Sequence, residues 1–336
     1  MVVDEIPDLT PAAGQVLVEP IACGICGSDL HTVDHAHDLV ASAKAAGFAP
    51  FGFDPDQDLV MGHELSVRVL ELGAGVTSVV EGGAYAAMPF LMLPDGRRAI
   101  PGYDNIYPGG YSERLLLDPH GLVEIPNGLD PSMAALTEPM AVGLHAVNES
   151  AIAPGRTAIV VGAGPVGLAV TAALAASGIE PIIVADFSPT RRGVATQMGA
   201  HVVVDPRDRS VFDVWRETAD TAVPPVIFEA VGVPGMIDQL MVDAPARSEL
   251  VIVGVCMKPD TFRPTLGIYK HLTIRFVLGW TPQEFVASLA NLAEGRIDGT
   301  VLVTGEVDIE GVPQAFADLG DPEQHVKILV RPGRVS

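Results

Sequence analysis

Ala158-Ile159-Val160-Val161-Gly162-Ala163-Gly164-Pro165-Val166-Gly167 decides the fold of this chain. The four leading residues read as a buried strand. The apolar residues from Val166 onward read as a helix, so the pattern G-x-G-x-x-G sits at a strand-to-helix turn. Gly162 permits the tight turn, Gly164 lets the backbone approach a pyrophosphate, and Gly167 lets helix and strand pack closely. Pro165 and Val166 open the helix, whose N-terminus offers free N–H groups and a positive dipole end to an anion. Asp186, roughly 20 residues past Gly167, supplies the acid that such a turn needs. A carboxylate there accepts hydrogen bonds from ribose hydroxyls and repels a 2′-phosphate, which predicts NAD over NADP. The nearby cations Arg191 and Arg192 weigh the other way, unless Arg191 covers the adenine.

Outward from the turn the same grammar repeats. Strand candidates at 157–161, 181–185, 201–204, 225–229 and 250–255 alternate with helical stretches at 166–177, 190–198, 211–218 and 236–243. Residues 272–278 offer one more strand. Nearly continuous apolar strands alternating with helices predict an α/β, doubly wound parallel sheet buried on both faces. Upstream the texture is different. Residues 13–22 read as a strand, 65–72 and 76–80 as two strands joined by Gly73-Ala74-Gly75, and 84–116 as loop rich in Gly, Pro and aromatics. A helix is expected over 131–149, capped by Asp130 with Pro131 at its first position. After a helix at 282–295, two or three short strands ending near Val330 break the alternation and are expected to return to the β-rich part. The expected domains are 1–147 with 281–336, and 148–280.

Composition bounds the function. A length of 336 residues suits two domains, each with its own core. Hydrophobic residues at 48% against charged residues at 18% exclude a disordered chain. Lys and Arg number 20 against 42 Asp and Glu, a net charge of −22, so no basic surface is available to neutralise nucleic-acid phosphates. The charge reads instead as a solvated acidic surface. Three cysteines argue against a disulfide framework and for a reducing compartment. The N-terminus lacks a secretory h-region and no apolar run is long enough to span a bilayer, so a cytoplasmic protein without membrane partners is expected.

Two further segments carry chemistry: Cys23-Gly24-Ile25-Cys26-Gly27-Ser28-Asp29-Leu30-His31 and Gly62-His63-Glu64. A catalytic zinc takes thiolate, imidazole and carboxylate donors and keeps one position open. Cys26 offers the first, His63 the second, and either Glu64 or Glu138 the third. If Cys26 opens a short helix, its thiolate gains from the helix dipole. Ser28 and His31 then share one helical face, which suits a proton path from a substrate hydroxyl to Ser28 and on to His31. Asp29 is placed to accept the other ring N–H of His63. Alone, Cys26 would be a buried thiol and His63 a core histidine; together with the two glutamates they point to a metal. The C-x-x-C pair lacks both the βαβ context of a redox motif and the second C-x-x-C of a zinc ribbon. His35-x-His37 reads as a loop feature.

These segments resemble the zinc-dependent medium-chain alcohol dehydrogenase family, over nearly the whole chain. "CGICGSDLH" (23–31) resembles the family's catalytic-zinc turn, "GHE" (62–64) its second ligand motif, and "VVGAGPVGL" (160–168) its cofactor turn. "TEPMAVGLHAV" (137–147) is similar to the third-ligand helix of the butanediol, sorbitol and threonine dehydrogenase branches, which carry Glu-Pro there. The resemblance implies a GroES-like β-rich domain plus a Rossmann domain, with the active site in the cleft between them. It implies zinc on Cys26, His63 and Glu64 or Glu138, the two glutamates exchanging during turnover. It also implies cofactor contacts from Val231, Val253 and Val255, a small alcohol as substrate, and a homodimer or homotetramer.

The matching stretch 89–111 has no cysteine, so the second, structural zinc of many relatives is expected to be absent. The strand that usually precedes "VVDEIP" is missing, and the long stretch between His31 and His63, including 41–53, should border the substrate. The implied reaction is reversible oxidation of a secondary alcohol, diol or polyol to a ketone or aldehyde with NAD. Two readings compete with it: a zinc-independent quinone or enoyl reductase on the same fold, and a non-catalytic NAD-binding sensor.

Overall fold

A computed structural model describes residues 1–48, 53–126 and 128–333. The chain divides into two units, residues 1–138 with 292–294 and 303–336, and residues 139–291 with 295–302.

The first unit grows from β1 (Val16–Gly24), followed by α1 (Gly27–Ala45), β2 (Glu64–Leu72), β3 (Ala84–Ala87), the short pair β4 (Leu91–Met92) and β5 (Arg98–Ala99), β6 (Leu115–Leu117) and β7 (Leu122–Glu124). β1 runs antiparallel to both β2 and β6. Val16, Val18, Cys23, Leu65, Val67, Val69, Leu115 and Leu117 build one core on this sheet. The strand expected at 76–80 does not form. The Val76 N–H closes a turn onto the Gly73 carbonyl, and the Gly82 N–H bonds directly to Val69, so β2 is met by β3 instead. The stretch 84–116 holds four short strands where loop was expected.

Cys26 opens a helix whose first part runs to a kink at His35, beyond which a second helical stretch continues to Ala45. Together they span 19 residues because no proline or glycine interrupts the alanine-rich sequence before Gly47. The backbone leaves helical dihedrals at His35 (φ −138°, ψ 29°). His35 and His37 therefore ride on a helix, each beside an aspartate: His35 with Asp38 at 3.6 Å and His37 with Asp56 at 3.4 Å. Residues 49–52 of the stretch between His31 and His63 lie outside the described residues.

The second unit follows the predicted alternation. A 3-10 turn (Met133–Leu136) leads into α2 (Thr137–Glu149), where one helix was expected; the turn's N-cap is Ser132 rather than Asp130, whose carboxylate instead accepts the Ser132 N–H. Then come β8 (Ala158–Val161), α3 (Pro165–Ala176), β9 (Ile182–Ala185), α4 (Pro189–Gln197), β10 (Val202–Val204), α5 (Val211–Thr218), β11 (Val226–Glu229), α6 (Met236–Asp243), β12 (Glu249–Ile252), α7 (Pro264–Lys270), β13 (Thr273–Phe276) and α8 (Pro282–Ala293). The six strands are parallel, in the order β10-β9-β8-β11-β12-β13. This is the doubly wound order, which reverses direction beside the first strand, β8.

α2 from Pro139 onward and most of α8 fall in this unit, while Thr137 and Glu138 stay in the first; the sequence-based limits were 147 and 281. A Cβ on Gly143 would lie 2.3 Å from the Ala169 backbone, so α2 is seated directly on α3. Glu284 of α8 accepts from His145 and Asn148 of α2 at 2.9 and 2.8 Å. The chain then returns to the first sheet through β14 (Val303–Val307), α9 (Val312–Leu319) and β15 (Lys327–Val330). β15 pairs with β1, Cys23 opposite Val330.

Candidate active site

Cys26 ends the run out of β1 and stands at the N-cap of α1. Its N–H is held at 3.0 Å by the Asp29 carboxylate, which reaches back from the first turn. Asp29 is fully buried and has two further neighbours. The Tyr111 hydroxyl donates to its Oδ2 at 2.6 Å, and the His63 Nδ1 faces its Oδ1 at 3.3 Å. Burial works to raise the Asp29 carboxyl, but the His63 charge and these hydrogen bonds outweigh it and hold it low. For His63, burial pushes downward, while Tyr103, Asp29 and a hydrogen bond to Cys26 raise it well above the usual histidine range. Cys26 and His63 are thus a preformed pair, braced from behind as expected for Asp29. Cys23 is different: burial, then Asp29, push its thiol well up, so it is an inert neutral group.

Glu64 opens β2 opposite Gly24 of β1. A Cβ at Gly24 would lie 1.9 Å from the Glu64 carboxylate, so only glycine leaves it room. Both carboxylate oxygens receive Lys327 Nζ at 2.7 Å, and the same ammonium donates to the Ile25 carbonyl at 2.9 Å. Lys327 is 1% exposed. Burial disfavours its charge, but Glu64, Cys26 and Glu138 together raise its pKa. Glu138, buried at the start of α2, is therefore close enough to be felt in the same cluster.

Ser28 and His31 both lie on α1, three residues apart as predicted. Burial, then the neighbouring His35, lowers His31, so the imidazole stays neutral at neutral pH and free to take a proton. Ser28 accepts a hydrogen bond from the Tyr103 hydroxyl at 2.7 Å. Tyr103, Tyr111 and Lys327 escaped the sequence reading. Only Lys327 left a signal, as a lone charge in the apolar run Val326-Lys327-Ile328-Leu329-Val330.

A zinc ion fits this donor set by its chemistry: a thiol and an imidazole in contact, a carboxylate behind the imidazole, and a buried glutamate nearby. Among the described residues no three His, Cys, Asp or Glu side chains are already gathered as a cage. The pair Cys26 and His63 is what the fold pre-forms, and Lys327 occupies Glu64.

The glycine turn in the second unit has the geometry its sequence implied. Gly162 has φ +96°, and a Cβ on Gly167 would lie 1.9 Å from the Gly162 carbonyl oxygen. Gly164 is the N-cap of α3 and Pro165 its first residue. Asp186 accepts the Ala163 N–H at 2.6 Å and the Ser188 N–H at 2.8 Å, leaving its remaining lone pairs for a ligand. The Arg191 guanidinium comes within 4.0 Å of the Cβ position of Gly164, and its buried Nε has no hydrogen-bond partner.

Glu229 accepts from the Val231 and Gly232 N–H groups at 2.7 and 2.9 Å, shaping the loop after β11. A Cβ on Gly232 would press the Val255 backbone at 2.8 Å, so the loops after β11 and β12 touch. Val231 (40% exposed) and Val255 (46%) stand open, whereas Val253 is buried at 8%.

Comparison with known proteins agrees with both halves. Residues 12–127 match the alcohol dehydrogenase GroES-like domain, and residues 165–294 match the zinc-binding dehydrogenase domain. (R,R)-butanediol dehydrogenase of Bacillus subtilis (strain 168) is 31% identical, with 98% of this chain and 96% of that protein covered. The chain belongs to the zinc-type medium-chain alcohol dehydrogenase family.

Solved structures agree. The crystal structure of 2R,3R-butanediol dehydrogenase from Bacillus subtilis superposes with a TM-score of 0.80 at 30% identity, covering 98% of this chain and 96% of that one. A protein described as a zinc-binding dehydrogenase, from Sinorhizobium meliloti 1021 and solved with NADP bound, gives 0.78 at 25% identity, covering 96% and 94%. Membership makes the protein an oxidoreductase that acts on CH–OH donors with zinc and a nicotinamide cofactor. The fold is GroES-like plus Rossmann, as the resemblance implied.

Proposed function

We propose that the protein oxidises the secondary alcohol of a small vicinal diol or related polyol, reversibly, with NAD. One zinc ion is held by Cys26, His63 and Glu138. The observation that carries this reading is the buried His63, its Nδ1 3.3 Å from the Asp29 carboxylate that also holds the half-buried Cys26 at the N-cap of α1. With Nδ1 turned to Asp29, Nε2 is the nitrogen left to ligate. Glu138 is preferred to Glu64 as the resting ligand because Lys327 neutralises both Glu64 oxygens. Glu64 is the alternate ligand, reached only by releasing Lys327.

Bound there, zinc supplies Lewis acidity that lowers the pKa of the alcohol hydroxyl. Ser28 takes the hydroxyl proton and His31, neutral at rest, receives it next on the way to solvent. The hydride, with its electron pair, leaves the alcohol carbon for the nicotinamide, and the two transfers together give a ketone or aldehyde, NADH and a proton.

NAD is preferred because the Asp186 carboxylate meets a 2′-phosphate unfavourably, while Arg191 faces the pyrophosphate turn. Gly162, Gly164, Pro165, Val166 and Gly167 cradle the phosphates, and Val231 and Val255 touch the rest of the cofactor. A second, structural zinc is not part of the proposal, since 89–111 contains no cysteine. The diol substrate follows the butanediol dehydrogenase likeness and the Glu138-Pro139 motif. The exposed apolar side chains Ile268 and Tyr269 of α7 and Phe276 of β13, an edge strand, support a homodimer or homotetramer. A cytoplasmic setting is supported by three free cysteines.

Metal analysis tests the central assignment. The purified protein should hold one zinc per chain, and Cys26→Ala should lose both metal and activity. Full zinc and full activity in Cys26→Ala would contradict it.

A further inference from the structure

We propose that Tyr103 is the positioning residue for the Ser28 hydroxyl in the proton-transfer step, an assignment that rests on the alcohol-oxidation reading above. Tyr103 lies between β5 and β6, far from Ser28 in sequence, and its hydroxyl donates to Ser28 Oγ at 2.7 Å. Its place is fixed from two sides. The preceding Gly102 has φ +94°, and a Cβ there would lie 2.8 Å from the carbonyl oxygen of Gly62, immediately before His63. The Tyr103 ring meets the His63 ring at 5.2 Å between centroids and Phe53 at 6.4 Å. At 5% exposure the phenol is shielded from water. One backbone approach therefore seats His63 and the donor to Ser28 in common.

The consequence is a matter of lone pairs. A serine hydroxyl has one hydrogen and two acceptor sites. The Tyr103 hydroxyl fills one acceptor site. The other remains for the substrate hydroxyl, and the Ser28 hydrogen is turned away from Tyr103, free to donate onward. When the substrate proton bonds to Ser28 Oγ, the Ser28 proton passes to His31 on α1, so Ser28 ends neutral and the charge resides on the His31 imidazolium until solvent removes it. The Tyr103 hydrogen bond also makes Ser28 a better donor in turn, since hydrogen bonds in a chain polarise one another. Without it Ser28 is free to rotate, and a misdirected hydroxyl loses the orientation that makes the transfer effectively intramolecular.

Tyr103→Phe keeps the ring on His63 and removes only the hydroxyl. In the zinc-loaded enzyme kcat should fall about tenfold, the worth of one neutral hydrogen bond, with KM for NAD and zinc content unchanged. In a Ser28→Ala background the same change should cost nothing further, because the partner is gone. Tyr103→Leu, which also removes the ring, separates packing from positioning. Independently of turnover, the 13Cζ resonance of Tyr103, assigned by its loss in Tyr103→Phe, should shift in Ser28→Ala. Wild-type kcat in Tyr103→Phe, or an equal loss with and without Ser28, overturns the assignment, leaving Tyr103 a packing residue. No turnover by the unaltered enzyme overturns the functional reading and this role with it; a retained Ser28-dependent resonance shift would mark that as a failure of the reaction and not of the hydrogen bond.

Discussion

Lys327 dominates the electrostatics around the buried Glu64. Lys327 and Glu64 are buried almost completely and hold each other at 2.7 Å through both carboxylate oxygens. Lys327→Met leaves the Glu64 charge without its partner and should cost about 3–5 kcal/mol in denaturant unfolding, while Lys327→Met with Glu64→Gln should recover much of it. An additive double variant would contradict the pairing. Residue identity was legible in the sequence wherever chemistry demanded a type at a fixed spacing. Cys26, Ser28, Asp29 and His31 lie within two helical turns, and Gly162, Gly164 and Gly167 lie on one turn. Tyr103, Tyr111 and Lys327 reach the same place from distant strands and loops. No local pattern announces such contacts, because they are made by sheet pairing and by Gly62 and Gly102 meeting back to back.

At the scale of elements, α2 is held by its contacts at both faces. Gly143 admits the α3 backbone, and a Gly143→Ala change forces a clash at 2.3 Å with an expected loss of about 1–3 kcal/mol. On the other face Glu284 collects His145, Asn148 and the N–H and hydroxyl of Thr281. Burial raises the Glu284 carboxyl, but these partners outweigh it and the net shift is downward. Its folded pKa lies below the unfolded value, so its stabilisation is complete above the unfolded glutamate range of about 4.3. It is lost as pH falls through the lower folded value. Glu284→Gln should therefore lower the melting temperature at pH 7 and reduce the acid-side fall of stability below about pH 4; an unchanged acid limb would contradict this role. The parallel strands could be read ahead because each is an apolar run between turn residues, and α3 to α6 because they fill the stretches between those runs. α7 was missed because it has no buried residue to impose a period, and the strand expected at 76–80 was lost to glycine turns on either side of it.

For the whole molecule, a net charge of −22 leaves no basic excess to neutralise nucleic-acid phosphates. If copies pair as proposed, the face is α7, with Tyr269 at 77% and Ile268 at 69% exposure, together with the neighbouring edge strand β13. Tyr269→Asp should shift the protein toward monomer in light scattering, and an unchanged mass would place the interface elsewhere. The family and fold were legible from three short motifs spread over the chain. The unit limits were not, because α2 and α8 read equally well as the end of one unit or the start of the other until their packing on α3 and on each other is seen.

The most direct measurement is NADH formation by the zinc-loaded protein across secondary alcohols, vicinal diols, polyols and L-threonine, before and after chelation. The account predicts turnover of a vicinal diol or polyol that a chelator abolishes and zinc restores. NAD binding with no turnover of any alcohol, or turnover that survives complete removal of zinc, would contradict it.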